Sequence, residues 1–416
     1  MSAPGQTRRS PETLEAWRYL LSPEGQSLLE AADSCQQGDV GQIAHLRRTW
    51  SQQQVSAALE LSQARRRAQG KMANANSIVS DTLGLEQATG TVIATYKADR
   101  IHSLGIRQIS DLCCGIGGDA MALSKTLSVI GMDSDPLKCW MTAVNADCPT
   151  ECVDITDGSI PEGPIHIDPS RRDPDRSKRR HEPNEWSPSA DYLKQLVQNH
   201  PDSVIKMGPG IDQNDLLFRP EGSEVEFISS EGHLLQAVLW TGCFQSARRR
   251  ATQCDANGCR SLSSDDIHSP PVTATNWTST WLHVPDPAVE RAGLLGLLCS
   301  EWNLAEPAAG LGLLVGDQAA DTPWLVPYEV ADQIPWRVEK IKAWLKAHDG
   351  GPVEIRTRGR AVRDVDRLRN EFQGDGQTRW TVFGLRLGEH RVAVLTRPRN
   401  RDAAQPDSAS KPANAS

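Results

Sequence analysis

The chain has 416 residues, more than one ordinary domain holds and enough for two or three. Its net charge is -8 with 24% charged residues, so whole-molecule attraction to nucleic acid is not expected, and any RNA contact needs a local basic patch. The ten Cys are scattered, no stretch approaches the ~18 uninterrupted apolar residues of a membrane span, and the opening residues carry no apolar leader core; the expectation is a reduced, cytoplasmic setting with free thiols.

Residues 1–100 read as a helical N-terminal domain. Ser10-Pro11 and Ser22-Pro23 have the form of a capping residue followed by a first-turn proline. Leu85, Ala88, Val92 and Tyr96 recur at helical spacing in a segment running to about Ile101. A helical cap is expected there rather than a separate binding module.

From about Ile106 short apolar runs alternate with helical patterns. Strands are expected at Ile109 to Cys113, Ser128 to Met132, Cys152-Val153, Ile165 to Ile167 and Ser203 to Met207. Helices are expected from about Gly118 to Leu127 and from Pro136 to Ala146. Such alternation predicts a parallel sheet covered on both faces, with Val225 to Ile228 and Leu234 to Thr241 as closing strands. Residues 101–306 form this expected domain. Within it, Leu294 to Trp302 reads as helix.

Residues 307–327, rich in Gly, Ala and Pro, read as a linker. A small α+β unit follows over 328–397: a helix from Ile334 to Lys346, then strands at Val353 to Thr357, Trp380 to Leu387 and Arg391 to Leu395. Residues 398–416 lack large apolar side chains and read as a disordered tail.

The most informative stretch is Asp111-Leu112-Cys113-Cys114-Gly115-Ile116-Gly117-Gly118-Asp119. A strand that ends in an acid and a Gly-rich turn lets the backbone bend sharply, approach a ligand closely and present the next helix N-terminus to it. A dinucleotide fold, a phosphate loop and a plain tight turn compete with that reading. The spacing lacks the third glycine of the dinucleotide fingerprint and the Gly-Lys-Ser/Thr of a phosphate loop. One βα unit later Asp133 ends a strand, where an acid suits a ribose diol. Asp154 follows the next short strand, where a carboxylate can accept from an adenine amino group. Both could instead cap a helix or a turn.

This pattern resembles the class I S-adenosylmethionine (SAM)-dependent methyltransferases over roughly residues 80 to 245. The resemblance implies that the turn opened by Asp111 brings Gly115, Gly117 and Gly118 close to the methionine part of SAM. It implies that Asp133 holds the ribose and Asp154 the adenine. It also draws attention to Asp168-Pro169-Ser170-Arg171-Arg172. Nucleic-acid amino-methyltransferases carry Asp or Asn there, then Pro-Pro and an aromatic, and the first residue accepts from the exocyclic amine. Here Ser170 replaces the second Pro and Arg171 the aromatic. Arg can stack on a base or pair with phosphate or carboxylate, or simply with nearby acids. Asp168 is the expected catalytic residue, and Pro169, Ser170, Arg171 and Arg172 the expected substrate contacts.

Further stretches are similar to bacterial methyltransferases with a THUMP-like C-terminal domain. They are Gly84 to Thr89, Met207 to Ile211, Pro285 to Val289 and Glu354 to Gly359, within a likeness spanning most of residues 75 to 397. The fold class this implies is α/β: a Rossmann-like methyltransferase sheet with an N-terminal helical domain and a small C-terminal α+β THUMP-like domain. The activity it implies is methyl transfer from SAM, with RNA as the partner by analogy to THUMP domains elsewhere. A small-molecule or protein acceptor, or a non-catalytic module, are the alternatives.

Residues 171–180 hold six basic and two acidic side chains, and Arg248-Arg249-Arg250 form a second basic run; each suits an RNA clamp or a solvated surface. Arg356, Arg358, Arg360 and Arg363 carry the same two readings. No metal is expected: Cys254 and Cys259 with His268 are too loosely spaced and read as a loop insertion. Cys113 and Cys114 are expected to be structural, and Cys243 a packing thiol rather than a nucleophile. Lys206 ends a strand and suits a functional role, but is not among the expected site residues.

Overall fold

The computed structural model describes residues 11–35, 39–169, 187–211, 216, 219–266, 271–274 and 277–398. Ser10, Ser170, Arg171, Arg172, the rest of the basic run 171–180, and the tail from residue 399 lie outside the described residues. Two compact units emerge, Met1–Asp265 and Asp266–Ser416. The expected boundary at residue 306 is therefore too late: 266–306 pack in the second unit, because Trp281–Pro285 pairs with strands of that unit.

The first unit opens with helices α1 (Pro11–Leu20), α2 (Pro23–Ser34), α3 (Val40–Leu46), α4 (Gln52–Ala68), α5 (Thr82–Gln87) and α6 (Thr91–Ser103). The Ser22 hydroxyl accepts from the Gly25 N–H with Pro23 in the first turn, as the sequence predicts. Ser51 and Gln54 make a reciprocal capping box at α4. Trp17, Leu20, Leu28, Val55 and Leu61 bury against Ile116, Leu137 and Met141, so these helices share a core with the residues after β1 and on α8, described below, rather than forming a self-contained cap. The helical spacing read from Leu85 to Tyr96 crosses a break. Ala88 and Gly90 are extended, and the Thr89 hydroxyl between them donates to Asp119 at 2.7 Å.

The sheet elements are β1 (Gln108–Leu112), α7 (Ala120–Leu123), β2 (Ser128–Asp133), α8 (Pro136–Ala146), β3 (Thr150–Cys152), β4 (Ile165–Ile167), α9 (Ala190–Asn199), β5 (Ser203–Met207), β6 (Glu224–Ser230), β7 (His233–Trp240), β8 (Arg249–Asp255) and β9 (Gly258–Ser264). Their order is β3-β2-β1-β4-β5-β7-β6-β8-β9. The five strands from β3 to β5 run parallel, and β7 joins β5 antiparallel. Chain order reverses between β1 and β4, which is where an open α/β sheet leaves a crevice at its carboxyl edge.

The stretch read as a loop insertion is a hairpin instead. β8 and β9 pair antiparallel with Cys254 opposite Cys259, and the two form a disulfide, so the free-thiol expectation fails for this pair. Alternation was masked there by Thr, Ser, Gln and Arg on both strands. The other eight Cys are free. Across the sheet, α6 is held by Arg100, which contacts the buried Glu224 at 2.8 Å and Glu226 at 3.2 Å, and by Tyr96, whose hydroxyl donates to Glu226 at 2.6 Å.

The second unit holds β10 (Trp281–Pro285), α10 (Pro287–Ala292), α11 (Leu295–Trp302), β11 (Leu314–Gly316), β12 (Leu325–Pro335), α12 (Val338–Ala347), β13 (Gly350–Arg358), α13 (Val365–Phe372), β14 (Thr378–Leu387) and β15 (His390–Pro398). Its sheet runs β11-β10-β12-β15-β14-β13, with only the β13–β14 pair parallel. The expected linker is folded: Leu311, Leu313 and Val315 are buried and β11 pairs with β10. Ile334 belongs to the long β12, so the helix begins later than its apolar spacing predicts. β14 is buried on both faces, with Trp380 and Val382 in one cluster and Phe383 and Leu385 in another, as the two-residue period of a strand requires. Among the described residues no helix is long and apolar enough to cross a membrane.

Candidate functional site

The carboxyl ends of β1 and β4 meet where the Asp168 N–H donates to the Leu112 carbonyl at 3.3 Å. Between β1 and α7 the backbone turns through left-handed residues: Cys113 at φ 56°, Gly115 at 58° and Gly117 at 83°. Two α8 side chains hold this turn from outside. The Thr142 hydroxyl donates to the Gly115 carbonyl at 2.9 Å, and the Asn145 amide to the Ile116 carbonyl at 2.8 Å. A Cβ on Gly118 would lie 3.0 Å from Ala88 and the Thr89 nitrogen, so the next helix packs directly on the break before α6. At Gly115 a Cβ would meet nothing within 4 Å, which leaves that face of the turn open.

The glycine pattern thus has two physical jobs, close packing at 118 and an open, strained bend at 115 and 117. Gly117→Ala puts a side chain 3.3 Å from Thr142 at φ 83°, a strain of about 1–3 kcal/mol. We expect calorimetry to find a ligand seated on this turn bound about 5- to 150-fold more weakly by the variant, since 1.4 kcal/mol is tenfold.

Asp133 faces the turn. Its Oδ2 accepts from the Gly115 N–H at 2.9 Å and its Oδ1 from the Asp135 N–H at 3.0 Å. Asp135, not Asp133, caps α8. Burial pushes the Asp133 carboxyl up, partly offset by those two N–H donors. Each oxygen retains acceptor capacity for a diol. Asp154 lies just past β3, and its Oδ1 accepts from the Thr156 N–H and hydroxyl at 3.0 and 2.7 Å, so it shapes a turn as well.

Beneath the turn lies a buried polar network. Lys97 of α6 meets Asp119 at 2.6 Å and His166 Nε2 at 3.2 Å, and His166 Nδ1 meets Asp111 at 2.7 Å. An ammonium only donates, so Nε2 accepts from Lys97 and the Nδ1 proton points at Asp111. Burial raises the Asp111 carboxyl, with His166 opposing. For Asp119 burial is outweighed by Lys97, His166 and Lys206, which hold it below the usual carboxylate range. Asp111 is therefore a foundation of the turn, 1% exposed, rather than a group on its open face.

Cys113 and Asp168 complete the site. Burial pushes the Cys113 thiol up, and the carboxylates of Asp133, Asp168, Asp111 and Asp154 push it the same way, the opposite of what activates a thiolate. The same influence shows how the fold gathers these four acids around one turn. Asp168 Oδ2 is ion-paired to Lys206 at 2.5 Å, and its Oδ1 has no hydrogen bond from a described residue. Pro169 is buried beside it. Tyr192 of α9 donates to the Ile155 carbonyl, and burial, Cys113 and Asp154 raise its hydroxyl.

Sequence reasoning gave no role to Lys206, Lys97, Tyr192 or His166. Their contacts come from α6, α9, β4 and β5, far apart in the chain, and only the parallel register of β4 with β5 could have suggested the Lys206 pair. Cys243 stands apart from the site, exposed rather than packed, its thiol pushed up to about 11 by burial and Asp202. Arg250 is consumed by Glu224 at 2.7 Å, Arg356 by Glu354 at 2.8 Å, and Arg358 lies 3.8 Å from Glu290. Among the described residues no group of three His, Cys, Asp or Glu is placed to hold a metal ion.

Residues 13–68 match a family described as a domain of unknown function, DUF8688, and residues 326–398 match the THUMP domain-like family. The chain is 29% identical over 352 residues to uncharacterized S-adenosylmethionine-dependent methyltransferases from two strains of Mycobacterium tuberculosis, covering 80% of this chain and 94% of each relative. A crystal structure of a Porphyromonas gingivalis protein, described as a candidate methyltransferase, shares the fold: TM-score 0.67, 16% identity, 94% of this chain and 98% of that one. The sheet and its Gly-rich turn form a Rossmann-like α/β core of the kind that structure has. The chain is thus similar over most of its length to SAM-dependent methyltransferases, and its C-terminal part matches the THUMP domain-like family.

Proposed function

We propose that the protein transfers the methyl group of SAM to a base of RNA, with Asp168 aligning the acceptor. The observation that carries this reading is the Asp168 carboxylate. It stands at the carboxyl end of β4 beside the Gly-rich turn, with Oδ2 fixed by Lys206 and Oδ1 without a hydrogen bond from a described residue.

The fit of the donor rests on the open face at Gly115 and on Asp133 directed at that turn. In this reading Gly115, Gly117 and Gly118 pass along the methionine portion, Asp133 accepts from the ribose hydroxyls, and Asp154 accepts from the adenine amine. When bound, the sulfonium supplies a methyl group that is already activated. The protein's share is positioning and exclusion of water. Asp168 Oδ1 accepts an N–H from an exocyclic amine and aims the nitrogen lone pair along the line of transfer. Ser170, Arg171 and Arg172 stand next in the chain and would contact the nucleotide, the arginines by stacking or phosphate pairing.

RNA is favoured by the THUMP-like match at 326–398 and by the basic run at 171–180. A cytoplasmic setting follows from that acceptor. The test uses total RNA from a strain lacking the gene, incubated with the protein and methyl-labelled SAM. Label that becomes a single modified nucleoside after nuclease digestion is expected. Label found only in nuclease-resistant material would contradict an RNA acceptor.

A further inference from the structure

We propose that Lys206 is a positioning residue for methyl transfer, acting through Asp168; this rests on the role of Asp168 given above. β4 and β5 run parallel with Ile167 opposite Ile205, which brings the next residue of each, Asp168 and Lys206, side by side. The Lys206 side chain is 6% exposed and that of Asp168 25%. Lys206 Nζ donates to Asp168 Oδ2 at 2.5 Å and to the Gln87 carbonyl at 3.2 Å. The carbonyl lies at the end of α5. The two carbonyls before it, of Leu85 and Glu86, accept from Lys71 Nζ at 2.6 and 3.2 Å. Burial and the neighbouring Lys206 charge push the Lys71 amine down to about 8.

One end of the Asp168–Lys206 pair is therefore anchored to backbone that is itself clamped. This fixes which carboxylate oxygen is occupied and which faces the acceptor. A buried ion pair on an apolar strand is a poor source of stability, because apolar residues of similar volume are often at least as stable there. Val204, Ile205 and Met207 around it are all fully buried, and the Asp168 side chain is 25% exposed, so an apolar residue at 206 suits the strand while water reaches the carboxylate left behind. Fixed carboxylate geometry is what an in-line transfer needs, and a 1 Å misplacement can cost about 100-fold.

The experiment compares wild type, K206M, K206R, D168A and D168A/K206M. Rates of labelled methyl transfer are read on total RNA from a strain lacking the gene, and affinity for S-adenosylhomocysteine by calorimetry. K206M is expected to keep donor affinity within about threefold and lose about 100-fold in rate. K206R is expected to recover at least about tenfold of that loss, because a guanidinium can still pair with the carboxylate. The double variant is expected to be no slower than D168A.

Near-wild-type transfer by K206M would overturn the proposal. So would a double variant slower than D168A by the full factor K206M shows alone. If K206M does not fold, K206Q takes its place in the same cycle. A fully active D168A removes both this inference and the role of Asp168. An inactive D168A beside an active K206M removes this inference alone.

Discussion

Asp168→Ala is expected to reduce methyl transfer by about 100- to 10,000-fold while leaving donor affinity within about threefold, the range set by loss of one aligned proton acceptor. The separation of effects follows from position. Asp133 and the glycine turn contact each other through the Gly115 N–H, whereas among the described residues the hydrogen bond from Asp168 next to that turn is made by its backbone, to the Leu112 carbonyl. Removing the Asp168 carboxylate leaves the turn intact. It also leaves Lys206, 5% exposed, with the Gln87 carbonyl and the more distant Asp119 charge but without its paired carboxylate. A modest fall in stability is therefore expected, and the rate is compared at a temperature well below the melting point. Calorimetry with S-adenosylhomocysteine and labelled-methyl transfer to RNA, on the same preparation, separate binding from chemistry. Equal loss of both would show that Asp168 supports the donor rather than the acceptor.

Lys97→Met is expected to destabilise the first unit by about 3–5 kcal/mol, because breaking a buried pair from one side strands the other charge. The Lys97 and Asp119 side chains are 2% and 8% exposed and lie 2.6 Å apart. Without the ammonium, Asp119 keeps Thr89 at 2.7 Å and His166 at 3.7 Å, and it shares His166 with Asp111, whose carboxyl is already raised by burial. At about 2–4 °C per kcal/mol, melting should fall on the order of 10 °C. The pH dependence carries a sign. In the wild type the folded state holds Asp119 below its unfolded value, so its contribution is complete above the ordinary carboxylate range, near pH 4, and is lost as pH falls through that range and below it. In the variant the buried carboxylate gains by taking up a proton, so the gap from wild type narrows as pH falls from 7.5 to 5. A gap of constant width would mean that lost packing, not stranded charge, sets the effect.

The parts of this molecule that the sequence discloses are those governed by local chemistry. Alternating apolar runs identify β1, β2, β4, β5, β6 and β7, and Pro136 with Ala146 bound α8, because burial on both faces leaves no other pattern. The Gly-rich turn is legible because only glycine combines the open face at 115 with the packing at 118. β8 and β9 were missed because β8 buries only Ala251, Thr252 and Cys254 and β9 buries no residue fully, and residues 307–327 because Gly and Pro conceal a three-residue strand. α13 was missed for the opposite reason: only Leu368 and Phe372 are buried on an otherwise charged helix.

At the site, the acids were legible and their partners were not. Asp133 and Asp168 stand after strand ends that the sequence marks. Lys97, reaching from α6 to Asp119, and Lys206, reaching from β5 to Asp168, are recognisable only once register and helix packing are known. Asp111 illustrates the limit. Its place before the turn is correct, yet its side chain turns inward to His166 and not toward the open face.

Titrating folded wild-type protein with S-adenosylhomocysteine in a calorimeter interrogates the bend between β1 and α7 most directly. A single site per chain is predicted, with affinity reduced in Gly117→Ala but retained in Asp168→Ala. No heat from the well-folded wild type, with either that compound or SAM, would contradict it.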